Sequence, residues 1–187
     1  GRADAGGRVA HELRDRLVQT LRVNTAAADQ VIAVYKQNRP MASNLDVYLL
    51  AATDDSNFRK GTDTQGLRKA ELGKAPVYKY YFQWYSPVRD GMLRSMHTMD
   101  IGFVFDNVDR AKSELGEGKD RYSLADKMSN TWVAFARTGN PNHKGIPTWP
   151  VYTPGQRATM IWNNEVRVAN DPFREEKDAV AQAQAAS

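Results

Sequence analysis

The residues best suited to proton transfer near neutral pH are three histidines, His11, His97 and His143. His11 falls in a charged amphipathic stretch and His143 in a loop of Pro, Asn and Gly, so both read as exposed surface groups. His97 stands between an aromatic, strand-like run and an apolar segment, and loops at strand ends are where proteins with helices on a sheet place functional groups. Such a base needs a nucleophile. The strained Gly-x-Ser-x-Gly elbow that presents a catalytic serine is absent. Ser43 and Ser123 each precede an Asp by three residues, Asp46 and Asp126, and read as helix caps. Asp54-Asp55 are adjacent carboxylates, but neighbours on one helix point in different directions, so this pair reads as solvated surface. Three distant histidines and no cysteine offer no metal-ligand spacing, and there is no Gly-rich phosphate loop, so neither a metal nor a cofactor is expected.

The elements that must position His97 follow from periodicity. A helical region covers about residues 8–72. Val9, Leu13, Leu17 and Leu21 share one helical face. Asn24 or Thr25 caps a second helix carrying Val31, Ile32, Val34 and Tyr35, which Asn38-Arg39-Pro40 stops. Ser43 and Asp46 open a third, with Val47, Leu50, Ala51 and Phe58 on its buried face, and Gly61 and Gly66 weaken helix beyond Arg59. A strand and histidine loop cover about 76–107. Within it, 76–84 is aromatic and β-branched, with Tyr78, Tyr80, Phe82 and Trp84 on the face expected to be buried. The apolar segment after His97 must also be buried, and charged residues 109–122 suggest a surface connection. A late helix and final strand cover about 123–165. The helix carries Leu124, Met128, Trp132, Phe135 and Ala136, closes at Gly139 and Pro141, and precedes a strand at Ala158–Trp162. The polar tail, 174–187, is a terminal helix or frays.

The chain has 187 residues, 41% of them hydrophobic, enough to bury a core. Its charge of +4 is spread evenly, which indicates neither nucleic-acid binding nor a membrane footprint, and no apolar run approaches the roughly 18 residues of a membrane span. Absence of cysteine excludes disulfides and thiolate chemistry but fixes no compartment.

Three ordered segments carry a family resemblance. The first is His97, Asp100, Ile101, Gly102, Phe103-Val104-Phe105 and Asp106-Asn107. The second is Leu124-Ala125-Asp126-Lys127-Met128, Trp132, then Phe135-Ala136-Arg137-Thr138-Gly139-Asn140-Pro141-Asn142. The third is Trp149-Pro150, Tyr152 and Arg157-Ala158-Thr159-Met160. Together these resemble the late portion of type-B carboxylesterases, the family that includes para-nitrobenzyl esterases and cholinesterases, over roughly residues 8 to 170. The resemblance implies an α/β fold, the C-terminal part of an α/β-hydrolase, with helices packed on the last strands of a mainly parallel sheet. All of 1–187 would be one segment of a single catalytic domain. It implies a carboxylic ester hydrolase with a Ser-Glu/Asp-His triad, of which this chain supplies only His97, the general base. The expected partners are a small-molecule ester substrate and the N-terminal part of the same hydrolase, carrying the serine and the acid. The chain alone is then inactive, and with an exposed sheet edge it is expected to aggregate or associate with a complementary fragment. Asp100 reads as a structural anchor of the histidine loop, Gly102 departs from the proline usual at its place, and Phe58 or Tyr85 lines a substrate pocket or plain core. The alternative is a non-catalytic relative or fragment acting as a protein-binding module.

Overall fold

The computed structural model describes residues 2–55 and 57–187, with the side chains of residues 2–10, 57 and 58 outside the description. Val9 and Phe58 therefore fall outside the described side chains. The chain forms two compact units, one of residues up to Gln65 with Phe173–Ser187, the other of Gly66–Pro172.

The first unit is helical. Helix α1 (Arg2–Leu21) buries Leu13, Leu17 and Leu21, the face its four-residue spacing predicts. Helix α2 (Thr25–Asn38) starts where the Asn24 side chain accepts the Ala27 N–H at 2.9 Å, and it ends before Pro40. Helix α3 (Asn44–Asp55) opens with a reciprocal capping box. The Asp46 N–H donates to Ser43 Oγ at 3.1 Å, and the Ser43 N–H donates to Asp46 Oδ2 at 3.0 Å. Helix α4 (Asn57–Leu72), whose last part from Gly66 belongs to the other unit, stays within the expected helical region and runs on through Gly61 and Gly66, the two residues expected to weaken it. Two helical glycines together cost only about 2 kcal/mol relative to alanine, which the surrounding helix formers offset. The tail forms α8 (Arg174–Ala185), and Val180 and Ala183 join the core of Leu17, Leu21, Val31, Val47 and Ala51. Full burial of each larger aliphatic side chain contributes roughly 1.5–3 kcal/mol.

The second unit carries the sheet. Strand β1 (Lys79–Phe82) pairs in parallel with β2 (Ala158–Trp162), which pairs antiparallel with β3 (Arg167–Asn170). The three strands described here therefore form a mixed sheet. Only four residues, 163–166, separate β2 from β3, which permits a hairpin and no crossover. The β1-to-β2 connection is long and contains the helices. All five residues of β2 are buried, which explains its continuous apolar run at the centre of the sheet. The aromatic face of the first strand packs as expected: Trp84 is buried, and Tyr78, Tyr80 and Phe82 lie against the core of Phe103, Leu124, Met128, Trp149 and Trp162.

Between the strands lie α5 (Ile101–Val104), a 3-10 turn (Val108–Ala111), α6 (Lys112–Leu115) and α7 (Asp120–Thr138). Three expectations change here. Only Gly102 and Phe103 of α5 are buried, whereas Ile101 and Phe105 are exposed, because one short helical turn shows the core a single face. The 109–122 connection is not simply surface. Leu115 and Arg121 are fully buried, and the Arg121 guanidinium donates to the carbonyls of Gly118 and Val108 and to Asp109. Helix α7 begins at Asp120, three residues ahead of Ser123, which therefore lies inside the helix and caps nothing. Its buried face runs through Arg121, Leu124, Ala125, Met128 and Thr131, leaving Phe135 and Ala136 exposed. Gly139 ends it in the left-handed conformation as expected.

Candidate active-site histidine and its support

His97 is exposed and sits in a turn between the extension of β1 and α5. The loop that leads to it closes on itself. The Ser86 N–H donates to the Arg94 carbonyl at 3.1 Å, and the Ser95 hydroxyl donates to the Trp84 carbonyl at 2.7 Å. Arg89, Asp90, Gly91 and Arg94 all hold positive φ within this loop. The turn itself is built from Met99 N–H to Met96 carbonyl and Ile101 N–H to Thr98 carbonyl bonds. Thr98 has φ of 71°, an outlier for a β-branched residue that costs about 1–3 kcal/mol. Its hydroxyl donates to the His97 carbonyl at 2.5 Å.

Three residues on, Asp100 accepts a hydrogen bond from the Tyr80 hydroxyl of β1 at 2.9 Å. Asp100 thus anchors the loop to the sheet. Burial and the adjacent Asp100 carboxylate push the Tyr80 phenol well above its ordinary value, so it remains a donor throughout the neutral range. Trp132 of α7 packs edge-on against the Tyr80 ring at 5.1 Å.

The other candidates resolve differently. His11 is exposed on α1, near Arg14. His143 is half-buried rather than surface-exposed. Its Nδ1 accepts the Gly145 N–H at 3.1 Å, so Nε2 carries the proton and donates to Thr131 Oγ1 at 2.9 Å. Both nitrogens are committed to holding the loop. Asp54 is buried, not solvated: it accepts the Tyr35 hydroxyl at 2.5 Å and pairs with Arg59 at 2.9 Å. Burial raises its carboxyl above the ordinary value. The serines flanking the histidine loop are committed as well, Ser86 to the Glu114 carbonyl at 2.5 Å and Ser95 to Trp84. Tyr85 is half-exposed, with the Arg94 guanidinium over its ring. No group of three metal-ligating side chains occurs among the described residues, and no described helix is long and apolar enough to cross a membrane.

The carboxylesterase family model matches residues 6–180, nearly the whole chain. This chain belongs to the carboxylesterase family. Para-nitrobenzyl esterase of Bacillus subtilis is 33% identical over 112 residues, covering 58% of this chain and 22% of that protein. Phenmedipham hydrolase of Pseudarthrobacter oxydans is 33% identical over 106 residues, 54% of this chain and 22% of that one. Among solved structures, an esterase from Clostridium hathewayi that hydrolyses aliphatic aromatic polyesters superposes with a TM-score of 0.71 at 27% identity, over 92% of this chain and 32% of its own. A Geobacillus stearothermophilus carboxylesterase gives 0.65 at 30% identity, over 81% and 31%. The chain thus spans about a fifth of the length of those two curated relatives. The fold class is that of the α/β-hydrolase esterases, with a small mixed sheet.

Two supports of the carboxylesterase histidine loop were invisible in the sequence. Tyr80 reads there only as one of four buried aromatics, and Ser95 has no distinguishing context. The signal that could have found Tyr80 is a hydroxyl on an otherwise apolar strand face, which needs a buried acceptor.

Proposed function

We propose that this chain supplies the general base, His97, of a serine carboxylesterase whose nucleophile and triad acid lie in the N-terminal part of the same hydrolase. The observation that carries the reading is an exposed histidine on a tethered loop at the end of a strand, within a chain of this family. In that role the imidazole takes the serine proton as the hydroxyl attacks an ester carbonyl, then returns it to the departing alkoxide. Ser86 and Ser95 are poor nucleophile candidates because each already gives its proton to a backbone carbonyl. The chain alone is therefore inactive on esters, and its two units form part of one catalytic domain in the longer protein. β1 lies at the edge of the sheet, where an upstream strand would continue it. The substrate class is a small carboxylic ester.

The test is hydrolysis of p-nitrophenyl acetate by the full-length protein. His97→Ala is expected to lower kcat by at least about 10⁴-fold, whereas His143→Gln and His11→Ala leave it nearly unchanged. Full activity in His97→Ala would reject the assignment. An inactive wild-type protein would favour a relative that keeps the fold as a protein-binding module.

A further inference from the structure

His97 is bracketed by two side-chain hydrogen bonds, one to β1 and one to the extended segment that follows it. Two residues before it, the Ser95 hydroxyl reaches the carbonyl of Trp84 at 2.7 Å. Three residues after it, Asp100 receives the hydroxyl of Tyr80 at 2.9 Å. Tyr80 of β1 and Trp84, two residues beyond its end, both pack on the same core. Between the brackets, Thr98 reverses the chain in a left-handed conformation and holds the His97 carbonyl with its own hydroxyl. A turn in so unfavourable a conformation persists only when its surroundings over-determine it, and the two brackets are part of those surroundings.

We propose that Tyr80 and Ser95 are positioning residues for the reaction, fixing the span 96–99 at both ends so that the His97 imidazole is held in the orientation proton transfer requires. Neither touches substrate, and both act through the histidine. A hydroxyl-only change is sufficient to test this. Tyr80→Phe keeps the ring against Trp132 and the core and removes one donor, and Ser95→Ala removes the other.

This inference rests on the esterase reading, so the experiment runs in the full-length protein with His97→Ala alongside. Steady-state kinetics on p-nitrophenyl acetate across the pH range, with thermal unfolding of each variant, give the readouts. The expected result is about a tenfold fall in kcat for each single variant with KM unchanged, a larger fall for the double variant, and a displaced acid limb of the kcat profile. Melting temperatures stay close to wild type. Asp100→Asn, which keeps an acceptor for the Tyr80 hydroxyl, retains most activity, whereas Asp100→Ala behaves like Tyr80→Phe. Single variants with kcat within twofold of wild type, or variants that lose activity only by failing to fold, overturn the inference while leaving the esterase reading intact. Unchanged activity in His97→Ala overturns the reading itself.

Discussion

At the scale of single residues, chemistry depends on what each polar group is already bonded to. His97 and His143 are both loop histidines, but the His143 ring is held by Gly145 in its own loop and by Thr131 of α7. Sequence separated them by the strand-like run and apolar segment that flank His97, and then by the resemblance around it. It could not show that Gly145 and Thr131 converge on the His143 ring, because those partners lie at no diagnostic spacing. Asp54 and Asp55 make the same point. Read as a solvated pair, they divide into a buried Asp54 on Tyr35 and Arg59 and a part-buried Asp55 on Lys60 and Gln184. Burial raises the Asp55 carboxyl, but the bonds from Lys60 and Gln184 outweigh it, and the net direction is down. A depressed folded value means that its stabilising contribution is complete above the unfolded value near about 3.9 and is lost as pH falls through the folded one. Asp55→Asn is therefore expected to flatten the loss of stability below about pH 4 while costing no more than about 1 kcal/mol at neutral pH, because the ion pair is partly solvated. Thermal unfolding of the full-length protein at a series of pH values measures both.

Elements with local signals were legible. The caps at Asn24 and Ser43, the stop at Pro40, the turn at Gly139 and the strand at 158–162 rest on residue type and near neighbours. At α4 and α7 tertiary context overrides the local signal. Gly61 and Gly66 are weak helix formers, but their neighbours carry the helix through. Ser123 has a cap-like pattern, but burial of Arg121 extends α7 upstream of it. Two glycines make this testable, since an added Cβ would meet nothing within 4 Å at either Gly61 or Gly139. Only the backbone differs: Gly61 is inside a helix, and Gly139 holds φ of 74°. Gly61→Ala is expected to stabilise by about 0.5–1 kcal/mol and Gly139→Ala to destabilise by about 1–2 kcal/mol. Urea unfolding of the two variants reads the opposite signs directly.

For the whole molecule, family membership and fold class were legible because three motifs recur in order along the chain. The mixed character of the sheet was not, since the 163–166 hairpin that reverses β3 carries no Gly-containing turn signature. In the reading proposed above, His97 activates a serine that is not among these 187 residues. Labelling the full-length protein with a fluorophosphonate, locating the modified residue by peptide mass and timing the reaction tests this most directly. The predicted result is a single modified serine upstream of this sequence, with a labelling rate that falls by at least about 10³-fold in His97→Ala. Modification of a serine within residues 1–187, or an unchanged rate in His97→Ala, would contradict a general-base role for His97.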